Sequence, residues 1–259
     1  MYKTTILLLF VFVQNILLKA QNNCEPQRIN FKDGEQVKYE IYYQWHALWV
    51  NAGYVNFSIK DTVFLGKQQF LFRGYGRTYK KYDWIYKVRD HYYSIADKKT
   101  LKPSFFKRIV NEGDLYILEQ YLFKNNKAIA YYKENSKPPK KDTLILSTCV
   151  FDVMTMVYYA RCIDFNQFQI NDTIPISMII DNKIHHTYIR YLGKETIKTK
   201  NKETYSCIKF KPMLIEGTIF HAGESMTVWA TDDEQLVPVL IETPILVGKI
   251  KVFLDDIVN

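Results

Sequence analysis

The chain of 259 residues is short of the patterns that chemistry needs. No G-x-S-x-G elbow is present. Gly223-Glu-Ser225 lacks the second glycine, so the sharp strand-to-helix turn that presents a serine nucleophile is missing. No glycine-rich loop offers backbone N–H groups to a phosphate. The four cysteines, Cys24, Cys149, Cys162 and Cys207, never fall at C-x-x-C spacing, which argues against a dithiol redox centre or a zinc knuckle. Of the five histidines, His46, His91 and His221 have no cysteine or carboxylate at ligand spacing. His185-His186, placed on a strand, would point to opposite faces and could not share one ion. The sequence therefore predicts no metal, no cofactor and no enzyme.

Clustered charge is lacking too. The formal net charge is +8, yet the basic residues are scattered along alternating segments, with Lys80-Lys81 and Lys137 to Lys141 as short runs. A nucleic-acid binder would concentrate them on one element. The pattern predicts a solvated basic surface and no nucleic-acid partner. Asp232-Asp233-Glu234 could supply paired carboxylates, but acidic residues in one short stretch between strands read more simply as a hairpin tip.

An uninterrupted apolar run of membrane-spanning length is also missing. Lys3 opens the chain, Ile6 to Val13 is apolar, Gln14 and Asn15 interrupt, and Lys19-Ala20 ends the run on a small residue. A positive start, a short apolar centre and a small exit residue form an export signal rather than a spanning helix. The expectation is cleavage after Ala20, one all-β domain over residues 21–259, and a periplasmic or outer-membrane-associated home. In that oxidising compartment one or two disulfides are plausible, and the four cysteines allow three complete pairings among which the sequence cannot choose.

What the chain does have is alternation and aromatics. Val37, Tyr39, Ile41 and Tyr43 alternate with Lys38, Glu40, Tyr42 and Gln44, the rhythm of a half-buried strand. Comparable segments recur at 52–60, 69–73, 84–88, 91–95, 104–110, 115–123 and 128–134. Asp97-Lys-Lys, Asn111-Glu-Gly113 and Asn125-Asn126 separate them as turns. The Pro-Pro, lysine-rich piece 136–141 reads as a loop. Phe151, Met154, Val157 and Tyr158 then fall at helical spacing, with Ser147 or Thr148 as a hydroxyl cap, predicting one helix near 150–163. Strands resume at 174–180, 184–191, 193–199, 204–212, 224–231, 237–242 and 249–254. Twenty tyrosines and sixteen phenylalanines suit pleated surfaces. The fold class is mainly β, a curved antiparallel sheet or half-barrel.

Several ordered signatures carry a family resemblance: Phe31-x-Asp-Gly-Glu35, Trp49-x-x-Ala-Gly53, Tyr86-x-Val-x-Asp90, Leu101-x-Pro103, Phe151-Asp-Val-Met154 ending near Arg161, and Thr231-Asp-Asp-x-x-x-Val-Pro238. In order and spacing they resemble the exported bacterial family named domain of unknown function 3108. The resemblance implies a Gram-negative cell envelope and a sheet similar to the half-barrels of lipoprotein carriers. It implies no functional residues.

Trp45, Trp49, Tyr82, Trp84 and Tyr86 are the candidate binding residues, because a β half-barrel lined by aromatics could hold an acyl chain. The plainer reading is that each ring fills core. The function expected is non-enzymatic binding or carriage of an apolar ligand, a lipid or the acyl chain of a lipoprotein. The alternatives are an assembly module contacting other envelope proteins, and a hydrolase with an unrecognised site. Oligomeric state is not legible. Asp61-Thr62-Val63, Asp142-Thr143-Leu144 and Asp172-Thr173-Ile174 are similar to an O-glycosylation sequon of exported Gram-negative proteins, making Thr62, Thr143 and Thr173 candidate acceptors. Strand-entry chemistry explains the same triplets equally well.

Overall fold

Side chains that alternate between apolar and polar force the backbone into strands, and the strands here assemble into one sheet. A computed structural model describes residues 25–46, 48–147, 149–215, 222–245 and 248–258. The signal-like segment and Cys24 lie outside the described residues. The first half is β1 (Gln36–Trp45), β2 (Leu48–Phe64), β3 (Lys67–Thr78), β4 (Arg89–Asp97), β5 (Pro103–Glu112), β6 (Leu115–Lys124), β7 (Lys127–Glu134) and β8 (Lys140–Ile145). A two-residue β9 (Val150–Phe151) and the helix α1 (Val153–Ala160) follow. The second half is β10 (Thr173–Ile180), β11 (Lys183–Lys198), β12 (Thr204–Pro212), β13 (Thr227–Thr231), β14 (Pro238–Pro244) and β15 (Lys249–Val258).

All belong to one sheet of 15 strands, ordered β8-β7-β6-β5-β4-β3-β2-β1-β15-β14-β13-β12-β11-β10-β9. The first and last long strands, β1 and β15, are neighbours and join the two halves. Neighbours are antiparallel except the short β9–β10 pair. A sheet this wide must curl. Register shifts at Lys38/Tyr39, Ile41/Tyr42, Ile95/Ala96 and Tyr191/Gly193 supply local bends. The sheet curves like a barrel without closing.

Its two halves meet through a buried charge network. Asp181 and Asn182 both have positive φ, 54° and 56°, as a tight two-residue hairpin between β10 and β11 demands. That tip reaches the inner face of β5 and β6. Arg108 donates to Glu119 at 2.5 Å and also to Asp181, while the Asn182 N–H donates to Glu119 at 2.9 Å and to the Tyr121 hydroxyl at 2.8 Å.

The inside of the curve is packed with the protein's own side chains. Phe72 stacks on Tyr158 of α1 with centroids 4.2 Å apart, and Phe31 meets Phe70, Phe72 and Tyr158 edge-on or tilted. A Cβ on Gly74 would lie 3.2 Å from Met154 Sδ, which shows how closely α1 rests on β3. Arg161, just past α1, lays its guanidinium on Glu35 at 2.6 and 3.0 Å, both groups buried.

Four expectations are corrected. The helix is shorter than 150–163, because Val150 and Phe151 pair with Ser177 and Met178. Asp152, not Ser147 or Thr148, is the cap: it accepts from the Met154 and Thr155 N–H groups at 2.8 and 3.0 Å, and Thr155 Oγ1 accepts from the Asp152 N–H at 3.0 Å. Residues 84–88 are not a strand. The chain leaves the sheet after Thr78 and returns at Arg89 through one 3-10 turn, Lys80–Tyr82. Finally, 184–191 and 193–199 form one continuous strand, β11, with Gly193 (φ +97°) absorbing a bulge.

Candidate functional site

The connection between β3 and β4 holds most of the candidate aromatics. Its conformation starts at Gly53, where a Cβ would stand 2.1 Å from the Arg77 carbonyl oxygen. Only glycine allows β2 and β3 to approach so closely there. The Tyr79 N–H then donates to the Ala52 carbonyl at 2.9 Å, and the chain turns out of the sheet. Asp83 fastens the loop. It accepts from Thr78 Oγ1 at 2.8 Å and from Arg89 Nη2 at 2.6 Å. Desolvation works to raise the Asp83 carboxyl, but these two donors outweigh it and hold the group below the ordinary carboxylate range. At the far end the Gly113 N–H donates to the Lys87 carbonyl at 2.8 Å. The Tyr86 ring lies against Gly113, whose added Cβ would stand 3.0 Å from it.

With both ends tied down, the middle of the loop points outward. Trp84 is 82% exposed and Ile85 64%. Tyr86 is also exposed, and Tyr82 carries the Lys81 ammonium 4.8 Å from its ring centre. The antiparallel order puts the β1–β2 turn at the same end of the sheet. Leu48 to Ala52 project beyond the last β2–β3 pair, Gly53 with Thr78. Leu48 and Trp49 are exposed there, and the Lys251 ammonium sits 5.4 Å from the Trp49 ring centre. Trp45 pairs with Leu48 through its backbone; its side chain lies outside the described set. Lys80, Lys81 and Lys87 are exposed around the loop. The structure thus brings Trp49, Tyr82, Trp84 and Tyr86 to one end, on the rim of the sheet and not on the wall of an inner pocket.

Behind the loop, Asp90 is buried in β4. Burial raises its carboxyl to about 7; the Asn111 N–H at 2.9 Å opposes the rise, and the neighbouring Glu112 carboxylate adds to it. No sequence signal flagged this pair, since Glu112 read as part of a turn.

The remaining candidates separate. Asp233 accepts from Gln235 N, Leu236 N and Thr231 Oγ1, and Asp232 pairs with Lys194 at 2.9 Å, so the acidic triplet is a capped hairpin turn. His186 Nδ1 lies 2.8 Å from Ser177 Oγ on the neighbouring strand. Among the described residues no cluster of histidine, cysteine and carboxylate could hold a metal ion. Cys149 is disulfide-bonded. Cys162 and Cys207 depart from the disulfide expectation: both are buried free thiols, and burial pushes them up to about 12 and about 11. Thr143 and Thr173 are exposed on β8 and at the start of β10, while Thr62 is half-buried near the end of β2.

Comparison with known proteins adds fold and family. Residues 38–255 match the family model described as "Protein of unknown function (DUF3108)". No curated protein matches. Among solved structures, a beta-barrel-like protein of domain of unknown function DUF1849 from Brucella abortus is similar with a TM-score of 0.55 and 8% identity, over 86% of this chain and 96% of that one. A likeness at that identity speaks for the curved-sheet architecture alone. The family match spans most of the chain and includes the loop, the Arg108–Glu119 pair and α1; the chain belongs to the DUF3108 family.

Proposed function

We propose that this is a non-enzymatic envelope protein that binds the apolar part of a lipid or lipoprotein through the aromatic end of its sheet. The observation that carries the reading is Trp84 and Ile85, held outward on a loop fastened at both ends, with Leu48 and Trp49 at the same end. A fastened loop loses little conformational freedom on binding, so its apolar side chains contribute nearly their full transfer free energy. Tryptophan and tyrosine suit the boundary between head groups and acyl chains. The exposed Lys80, Lys81 and Lys87 would each add about 1 kcal/mol at an anionic surface. The inside of the curve, filled by Phe31, Phe70, Phe72 and Tyr158, favours docking on the ligand over enclosing it.

The test is flotation of the chain from residue 21 onward with vesicles of phosphatidylethanolamine and phosphatidylglycerol. The unmodified chain should float. The double variant Trp84→Ala/Ile85→Ala should bind about tenfold or more weakly with its thermal midpoint unchanged. Equal flotation of the two, or no flotation of either, overturns the proposal.

A further inference from the structure

The free edge of the sheet has a chemistry of its own. Among the described residues β8 pairs only with β7 and is the last strand of its half. The Leu146 N–H donates to the Asn126 carbonyl at 2.8 Å, which fixes the phase of the β7–β8 ladder. Antiparallel pairs alternate between those that exchange hydrogen bonds and those that do not. In this phase Ala128↔Leu144 and Ala130↔Asp142 exchange bonds, while Lys141, Thr143 and Ile145 turn both their N–H and C=O groups to the open side. Among the described residues the Thr143 N–H is met only by its neighbour's carboxylate, Asp142 Oδ1, at 2.7 Å.

The same residues present their side chains to the outer face, since Leu144 packs against the core. There the cross-strand row Phe105, Leu122, Ile129 and Thr143 forms the floor of an open trough of about 660 Å³. Ile129 is 52% exposed and Ile145, at the edge, 67%. Lysines flank this row on both sides: Lys124 and Lys127 beside Ile145, Lys107 and Lys141 in the next row. None of these has an ion pair with a described residue, nor does Lys140. Unpaired lysines at an edge repel a second copy carrying the same lysines. They attract a strand of opposite sign.

We propose that β8 is a docking edge for an extended, acidic segment of a partner protein. The segment adds as a further strand, bonding its backbone to Lys141, Thr143 and Ile145. On the outer face, which takes every second residue of the added strand, the side chain beside Thr143 is apolar and meets the trough, and those beside Lys141 and Ile145 are carboxylates that meet the flanking lysines. This surface is independent of the aromatic end.

The probe is a fluorescently labelled decapeptide in which threonine alternates with the series glutamate, valine, glutamate, valine, glutamate, so that one face carries both the carboxylates and the apolar groups; it is followed by anisotropy, with the same peptide carrying lysine for glutamate as control. The glutamate peptide should bind, more weakly as salt rises, and should slow amide exchange at Lys141, Thr143 and Ile145. The lysine peptide should not bind. Thr143→Pro removes an N–H that β7 does not use, so it should abolish binding and leave the fold intact. Lys127→Glu/Lys141→Glu should weaken binding about tenfold, and this variant decides the matter if Thr143→Pro fails to fold. Trp84→Ala/Ile85→Ala should bind the peptide normally, whether or not it still floats with vesicles. Equal binding of both peptides, no loss on charge reversal, or slowed exchange elsewhere than β8 overturns the proposal. So does loss of vesicle binding by the lysine variant with no peptide binding by any form, which would make the edge a lipid surface.

Discussion

Replacing Arg161 by methionine should be among the most damaging changes outside the apolar core. The guanidinium bonds Glu35 at 2.6 and 3.0 Å, donates from Nε to the Gln235 carbonyl at 3.1 Å, and lies 5.4 and 5.6 Å from the ring centres of Phe31 and Tyr158. It ties the end of α1 to the entry of β1 and to the β13–β14 turn. Glu35 is 2% exposed, so without its partner the carboxylate is stranded in a low-dielectric space. Breaking a buried pair in this way costs about 3–5 kcal/mol. Replacing both partners together costs far less, since no charge is then left buried. The assay is a double-mutant cycle in urea with Glu35→Leu, Arg161→Met and the pair. Each single change should cost at least about 3 kcal/mol, and the double should fall short of their sum by about 2 kcal/mol or more. In a thermal scan each single variant should lose about 10 °C. Additive effects, or single changes costing under about 1 kcal/mol, would show that the pair is not the clamp described.

Three further outcomes follow from the same structure. Asp152 is buried and raised from its ordinary value to about 6, burial outweighing the bonds from Ser94, Met154 and Thr155 that favour the charged form. Between about pH 4 and pH 6 the folded state holds a proton that the unfolded state has released, so stability falls by about 3 kcal/mol as pH rises through that window. Asp152→Asn should flatten that part of the pH profile of urea midpoints, and an unchanged profile would contradict it. Gly53→Ala should destabilise by about 1–3 kcal/mol and raise amide exchange in 79–88, because its Cβ meets the Arg77 carbonyl at 2.1 Å. Ordinary exchange with full stability would refute that. Cys162 and Cys207, buried and raised to about 12 and about 11, should resist a maleimide at pH 8 in the native protein and react in urea. Labelling by mass spectrometry checks this, and rapid native labelling would disprove the burial.

What the sequence determined by itself is the alternation, and with it the sheet. Phe106 and Val110 share one parity on β5, and Ile117 and Tyr121 share one on β6, and in each strand that side is the buried one. The turn at Asn125-Asn126 is legible because positive φ selects asparagine, and the same preference puts Asp181-Asn182 at its hairpin tip. The family followed from spaced signatures such as Trp49-x-x-Ala-Gly53, whose glycine has a steric reason local to two neighbouring strands. Arg108 and Glu119 could also have been found, as charges standing at the inward parity, but a single strand does not say where their partners lie. Only the tertiary structure decided the rest. That Glu35 meets Arg161, and Asp181 meets Arg108, depends on how a 15-stranded sheet curls, a property summed over many bulges and twists. The fate of the aromatics was decided in the same way. Periodicity predicted a strand over 84–88, but the Asp83–Arg89 pair and the close approach at Gly53 turn that segment out of the sheet and leave Trp84 in solvent. A local rhythm fixes which side chains share a face; which faces end up covered depends on contacts between residues far apart in the chain.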